Sequence, residues 1–574
     1  MMELTDNALA ILKARYLLRD DRGEIIETPV EMFQRIARTV AASEKLFGND
    51  PAPWQERFFA LLSSLRFLPN SPAIMNAGKG GGQLAACFVL PVEDSMDSIF
   101  ETLKNAALIL QSGGGTGFSF SHLRPREDIV RSTGGIASGP VSFMKIYNTA
   151  TDVVKQGGAR RGANMGVLRV DHPDIMEFVR IKRDVHELEN FNISVAVTDH
   201  FMEALRVGAD YTLVNPRTGK GVRAIAARKV FNEIVACAWE TGDPGIIFID
   251  RMNRSNPTPL LGDFESTNPC GEQPLLPYEA CVLGSLNLAK YVKRGDIDFP
   301  SLGEDVRTAV RFLDNTIEAS VYPLPAISAM HKGNRKIGLG VMGWADLLIL
   351  LGLPYNHHGS FELARNIMRF IRGAARMASA DLAEERGVFP NFTGSIYDAP
   401  EMPRVRNATT TTIAPTGTLA TIADCSSGIE PLFALAYKRL VLDTELTEMN
   451  RYFVKTAQKL GIYSESLMRD VMSRGSLAGI AAVPAEIAKI FRTALEIPPA
   501  DHIEMQAAFQ EYTDNAVSKT INLPPEATKE DVAGAYLLAY EKGVKGVTVF
   551  RYGGKKGTLV KFSDSDFDGP RSRQ

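Results

Sequence analysis

Apolar side chains recur every three or four positions in "EMFQRIARTVAASEKLF", and similar spacing runs through most of residues 1–65. That period predicts amphipathic helices packed by one face, so residues 1–65 are expected to form an N-terminal helical lobe. From Phe67 to about Gly166 the pattern changes to short apolar runs cut by glycine: "FLPNSPAIMNAG", "AACFVLPV", "SGGGTGFSFSHL", "STGGIASGPVSF" and "QGGARRGANMGVLRV". Strands alternating with glycine loops and with helices such as Ser142–Val154 predict an α/β architecture. Further helices are expected near 198–207, 229–241, 303–320, 360–387 and 529–542, and a helical insertion near 443–512. "DPGIIFIDRMN" and "GVKGVTVFRYGG" read as strands, and "TTTTIAPTGTLATIADCSSGIEPLFAL" as a strand running into a polar glycine turn. No repeat of fixed period appears, and the tail, residues 555–574, is expected to be disordered.

Charge narrows the function classes. Lys+Arg 64 against Asp+Glu 67 leaves a formal charge of −3, with no block of like charges to serve as a nucleic-acid arm. The N-terminus, "MMELTDNALAILKARYLLRDD", is broken by Lys13, Arg15 and Arg19 and reads as an amphipathic helix rather than a signal peptide. The longest apolar stretch, "WADLLILLGL", is too short to cross a bilayer. A soluble, cytoplasmic protein with neither nucleic acid nor membrane as partner is expected. The five cysteines, Cys87, Cys237, Cys270, Cys281 and Cys425, are odd in number and scattered, so catalysis is a better reading than a disulfide framework.

Several motifs compete for attention. "GLGVMG", Gly338–Gly343, has the spacing of a dinucleotide fingerprint, but the preceding "MHKGNRKI" is mostly polar and not strand-like. The glycines are read instead as close packing at the start of a helix. "SGGGTG" and "QGGARRG" lack the Lys-Ser/Thr ending of a P-loop. "APTGTLA", Ala414–Ala420, fits either an anion-binding turn or an ordinary helix cap. In "ESTNPCGEQPLLPYEACVLGSLNLAKY", Cys270 and Cys281 are too far apart for a zinc knuckle, no metal site is expected, and no histidine stands beside them for a hydrolase. A third use, beside the hydrolase reading that stays open, needs one reactive thiol with two others supplying electrons, a nearby carboxylate and a phosphate cradle.

With those parts in view, the sequence resembles the large catalytic chain of ribonucleotide reductase. "NPCGE" resembles the family's radical-cysteine loop, "AACFVLP" and "EACVLGSLNL" its redox-cysteine segments, and "PTGTLA" its substrate-phosphate turn; "FLPNSP", "SGGGTGFSFSHLRP", "ASGPVSFM", "QGGARRGANMG" and "SSGIEPLF" follow the same order. The resemblance implies a ten-stranded α/β barrel of two five-stranded halves, spanning 66–554 behind the helical lobe. It implies that Cys270 is the thiyl radical, Glu272 the base at the 3′-hydroxyl, Asn268 a ligand of the sugar hydroxyls, and Cys87 with Cys281 the reducing pair. Ser71, Ala86, Gly115, Pro269, Gly271 and the turn Pro415, Thr416, Gly417, Thr418 and Leu419 would hold the substrate. Asp94, Ser95, Arg124 and Arg131 match the family's site for a deoxynucleotide or ATP effector, with "STGGIASG" and "QGGARRGANMG" relaying effector identity in a homodimer. Cys237 reads as core packing, and Cys425 is given no catalytic role.

Members of the family differ in how the radical is made. The chain has no Tyr-Tyr pair for a partner-subunit relay and no "RVCGY"-like glycyl-radical segment, and "NPCGEQPL" and "KGVTVFRYGG" resemble the adenosylcobalamin-dependent kind most. The D-x-H-x-x-G cobalamin signature is absent and is not expected in this kind. The expected activity is therefore adenosylcobalamin-dependent ribonucleoside-diphosphate reduction with specificity control and a thiol reductant. The alternatives are a reductase served by a separate radical-generating subunit, or a silent nucleotide-binding regulator. The first 65 residues are too few for an ATP cone, so global control by dATP is expected to be missing. No cysteine follows Cys425, so either the sequence is a truncated form or an external thiol, expected to be a small dithiol, reduces the Cys87–Cys281 disulfide directly.

Overall fold

The computed structural model describes residues 3–80, 82–130, 134–154, 162–441 and 444–554. The first helices form where their sequence dictates. Helix α1 spans Asp6–Arg15, α2 spans Pro29–Ala41 and α3 spans Pro51–Ser63. Thr28 and Glu31 close a reciprocal capping box at α2, and Pro29 fills the first turn, where a missing N–H costs nothing. Its buried stripe, Met32, Phe33, Ile36, Ala37 and Val40, follows the helical period. These helices do not stand apart: one continuous buried cluster joins them to the sheet, with Phe58 and Phe67 both edge-on to Phe312.

The sheet has ten strands. They are β1 (Phe67–Pro69), β2 (Cys87–Leu90), β3 (Gly115–Ser119), β4 (Asn164–Arg169), β5 (Phe191–Val197), β6 (Gly245–Phe248), β7 (Ala280–Asn287), β8 (Ile337–Met342), β9 (Thr520–Leu523) and β10 (Gly546–Arg551). Strands β2 to β6 run parallel in chain order. Strands β7 and β8 are parallel, as are β9 and β10. Antiparallel seams join β2 to β7 and β6 to β10, and β1 lies antiparallel on β7. Between β8 and the approach to β9, the threonine run makes isolated parallel bridges, Leu339 to Thr411 and Ile413 to Val517. The fold is thus mixed α/β with a large central sheet behind a helical N-terminal region.

Three expectations change. "GLGVM" is a fully buried strand, β8, rather than the start of a helix, and its helix, Trp344–Leu350, begins only afterwards. The packing role of its glycines holds: a Cβ on Gly340 would lie 2.3 Å from the Thr412 carbonyl oxygen. The threonines form bridges rather than a full strand. The insertion begins with a hairpin, Ala436–Val441 with Thr444–Met449, and only then turns helical. Its small core of Leu435, Phe453, Leu467, Val471 and Phe491 is separate, whereas helix Pro499–Gln510 buries Ile503, Met505 and Phe509 in the main core. The tail at 555–574 lies outside the described residues. No helix among the described residues is long and apolar enough to cross a membrane.

Candidate active site

Cys87 opens β2, Cys281 is second in β7, and the antiparallel register sets them directly opposite. Opposed residues share a sheet face with Cα atoms roughly 4.5–5.5 Å apart, a span that a disulfide bridges. Both are buried, and none of the five cysteines is disulfide-bonded. Burial, reinforced by the Glu272 charge, pushes the Cys87 thiol well above the ordinary range. Burial does the same at Cys281 against the opposing pull of Lys336. Both sulfurs therefore keep their hydrogen at neutral pH.

Over this pair lies a hairpin whose short strands, Ser266–Thr267 and Pro274–Leu275, present Asn268–Gln273 as a loop. Asn268 knits it together: its Oδ1 accepts from the Gln273 N–H at 3.0 Å, and its Nδ2 donates to Cys87 Sγ at 3.1 Å. Gly271 turns the loop at φ +81°, and its N–H donates to the Asn268 carbonyl at 3.0 Å. The loop rests directly on β3, whose glycines make the approach possible. A Cβ on Gly117 would stand 1.8 Å from the Thr267 carbonyl oxygen, and one on Gly115 3.0 Å from Pro269 Cγ. Gly117→Ala should therefore push the loop off its seat and lower turnover by roughly a hundredfold, as small misplacements at a reacting centre do. Steady-state rates beside far-UV circular dichroism check this; an intact fold with wild-type turnover would show that the loop does not need this contact.

Glu272 is only 2% exposed, and its Oε2 has no hydrogen-bond partner among the described residues. Burial raises its carboxyl to about 7, with the Asn268 amide pulling the other way. A carboxyl poised near neutrality suits a general base. Its backbone is fixed independently, because the Glu272 carbonyl accepts from Thr412 Oγ1 at 3.0 Å and from the Ala516 N–H at 2.9 Å. Cys270 differs from the other two thiols in being exposed. It opens into a cavity of about 430 Å³ lined also by Pro269, Pro415, Lys519, Asn522 and Phe550.

The remaining substrate candidates converge on this place to different degrees. The Gly115 N–H donates to the Ala86 carbonyl at 2.9 Å, and Ala86 and Ala414 pack on the cluster holding both buried thiols. Pro415 reaches the Cys270 cavity. Thr416 then turns left-handed at φ +56°, its Oγ1 accepting from the Gly428 N–H at 2.7 Å, and Gly417, Thr418 and Leu419 start the helix Gly417–Ala423. Leu419 buries its side chain in the core, so only its backbone can serve a ligand. Ser71 follows β1, and its hydroxyl is within 2.8 Å of the Tyr16 hydroxyl.

At the effector candidates, Arg124 Nε donates to Asp94 Oδ2 at 2.8 Å, and Ser95 caps helix Met96–Gln111 through the Ser98 N–H. Arg131, residues 132–133 of the first relay loop and residues 156–161 of the second lie outside the described residues. Cys237 is buried on helix Ala227–Thr241, as its apolar pattern predicts.

Comparison with known proteins bears on this arrangement. The family model for the ribonucleotide reductase barrel domain matches residues 85–404 and 401–550, and that for the reductase all-alpha domain matches residues 2–82. The chain belongs to the ribonucleotide reductase family. Two proteins named vitamin B12-dependent ribonucleoside-diphosphate reductase are close relatives of this reductase chain. The one from Thermoplasma acidophilum is 51% identical, over 96% of this chain and 79% of the relative. The one from Mycobacterium tuberculosis (strain H37Rv) is 49% identical, over 98% of this chain and 80% of the relative. A class Id ribonucleotide reductase alpha subunit from Actinobacillus ureae shares the fold with a TM-score of 0.80 at 23% identity, covering 96% of this chain and 98% of that one.

Sequence reasoning missed one charged group that lines the candidate site. Lys519, its side chain fully buried, donates to Glu430 Oε2 at 2.6 Å and lies 2.9 Å from His502 Nδ1. Glu430 and Lys519 both line the Cys270 cavity. The available signal was a lysine directly before an apolar strand in "SKTINL" and the acid within "SSGIEPLF".

Proposed function

We propose that this chain reduces ribonucleoside diphosphates to 2′-deoxyribonucleotides, with adenosylcobalamin as the radical source. The observation that carries the reading is a buried, protonated dithiol in cross-strand register beneath a loop that presents one exposed thiol and one carboxyl poised near 7. The names of the two relatives near 50% identity supply the cofactor and the diphosphate.

Each residue has a definable task. Cys270, as a thiyl, takes the hydrogen from C3′ of the ribose, and Glu272 takes the proton of the 3′-hydroxyl. The 2′-hydroxyl leaves as water with a proton from one thiol of the pair. Cys87 and Cys281 together give up two electrons and two hydrogens, one ending in water and one at C2′, and close to a disulfide. Cys270 then returns its hydrogen to C3′, and Glu272 returns its proton to the 3′-oxygen. Asn268, tied to Cys87 and to the loop backbone, orients the sugar between them. Bound adenosylcobalamin would supply, by homolysis of its Co–C bond, the radical that oxidises the Cys270 thiol. The cavity at Cys270 fits the adenosyl arm: about 430 Å³ lies in the range of small-ligand pockets, with Phe550 as an aromatic wall and Asn522 and Thr548 as polar groups.

The finer architecture belongs to the same reading. The bridges through residues 411 and 413 support a closed barrel of two five-stranded parallel halves meeting at the two antiparallel seams. Exposed Met96, Phe100, Leu108 and Ile146 on helices Met96–Gln111 and Pro140–Val153 support a homodimer through this face. Asp94, Ser95, Arg124 and Arg131 would hold a deoxynucleotide or ATP effector there. A thiol would serve as external reductant, and five cysteines without a disulfide suit the cytoplasm. Purified protein given adenosylcobalamin, a ribonucleoside diphosphate and a dithiol should form deoxyribonucleotide with no second subunit. Activity that appears only on adding a metal-loaded partner would overturn the cofactor assignment.

A further inference from the structure

The substrate-phosphate turn assigned above leads into a helix of seven residues, Gly417–Ala423, too short to hold its own position. Both of its boundary residues, Thr416 at φ +56° and Asp424 at φ +50°, are left-handed without being glycine. Such conformations persist only where surrounding structure imposes them. At the front, Thr416 is fixed by the Gly428 N–H. On one flank, helix α1 packs against the segment. The rear is held by two helices. Helix Trp344–Leu350 offers Asp346, whose Oδ2 accepts from the Ser426 N–H at 2.8 Å, while the Ser426 carbonyl accepts from the Gly343 N–H at 2.7 Å. Beside it, on a helix packed against Trp344–Leu350, stands Arg451, the first residue of helix Arg451–Lys459 in the insertion lobe. It donates to the Asp424 carbonyl at 2.7 Å and pairs with the Asp424 carboxylate. The Tyr452 ring, 4.9 Å from the guanidinium carbon, and the Tyr452 hydroxyl, 3.0 Å from Nη2, hold the guanidinium in place.

We propose that Arg451 is a positioning residue for the substrate diphosphate: docked from the insertion lobe, it fixes the rear of the phosphate turn through Asp424 and thereby sets the aim of the turn's N–H groups. The proposal rests on the reading of Pro415–Leu419 as the phosphate turn. It assigns the insertion a task, since helix Arg451–Lys459 is anchored in the lobe's separate core through Phe453 and Ala457. The Arg451–Asp424 pair is about two-fifths exposed on each side, so its charge attraction alone is weak. Its effect comes from the fork of donors reaching the carbonyl and carboxylate of one strained residue, a geometry that lysine reproduces poorly.

Arg451→Ala is expected to weaken binding of a ribonucleoside diphosphate five- to tenfold, while the affinity for the corresponding nucleoside, which carries no phosphate, stays unchanged. KM for the diphosphate should rise by a similar factor with kcat within about twofold of wild type. Arg451→Lys should fall between, and Asp424→Asn, which keeps the left-handed turn but loses the charge, should move the same way by less. Equal losses for nucleoside and diphosphate would reduce Arg451 to a general structural role, and unchanged diphosphate affinity would remove the proposal altogether. Wild-type protein serves as the separate control. If it neither binds nor reduces the diphosphate, the functional reading itself fails; if it does both and the variants match it, only the role of Arg451 fails.

Discussion

A Cys270→Ser variant is expected to bind ribonucleotide as the wild type does and to form no deoxyribonucleotide above background. Serine has nearly the shape of cysteine, and the side chain is exposed at the loop tip, so the fold has little reason to notice. The chemistry changes completely: an alcohol O–H bond is too strong for its oxygen to serve as a practical hydrogen-atom carrier. Neither remaining thiol of the site can take over the radical role, because Cys87 and Cys281 do not line the cavity that fits the adenosyl arm and are committed as the reducing pair. Product analysis by chromatography, beside a thermal melt and a substrate-binding measurement, checks all three parts. Measurable turnover would take the radical role away from Cys270.

Glu272→Gln should lower the rate by roughly a hundredfold or more while keeping the shape of the side chain. The raised carboxyl adds a signature that a simple loss of activity would lack. Wild-type turnover should climb as pH rises through about 7, where Glu272 loses its proton, and this limb should vanish in the variant. Stability should move the opposite way. Folded Glu272 holds its proton to about 7, whereas the ordinary value is 4.5, so its contribution is complete below pH 4.5 and is lost as pH rises through 7. Above pH 7 the wild type carries a buried charge that the glutamine variant does not. The variant should then be the more stable protein by up to roughly 3 kcal/mol, a difference that disappears near pH 4. Denaturant titrations at pH 4 and pH 8 measure it. A variant within a few-fold of wild-type turnover would show that another group takes the proton.

The candidate site residues stood out because their identities are chemically demanding, and the fold was legible wherever burial followed a period. Helices such as Asp199–Val207 and His358–Arg386 lie close to where the pattern placed them. Strand β8 was misread because the polar residues before it seemed to mark surface. In the fold His331, Asn334, Arg335 and Lys336 are all buried, Arg335 paired with Asp314 and Lys336 with Glu279. Polarity in a sequence signals exposure only when no partner charge is waiting inside, and those partners are distant in the chain. Glycines at alternate positions then erased the strand's own hydrophobic signal. The insertion was drawn too wide for a related reason: an amphipathic helix such as Pro499–Gln510 shows that it has a buried face, but not which core receives it. Nor could spacing reveal that Cys87 and Cys281 face each other, since strand register is set by three-dimensional pairing.

The bare glycine surface of β3 bears on how this molecule can change over time. Where most enzymes line their interior with side chains that drift one by one, here backbone lies on backbone at Gly117, and no other amino acid has room there. Stepwise divergence is therefore blocked at that position. An altered loop path would need the strand beneath to move in the same step, so loop and strand should be inherited, transplanted or redesigned as one piece.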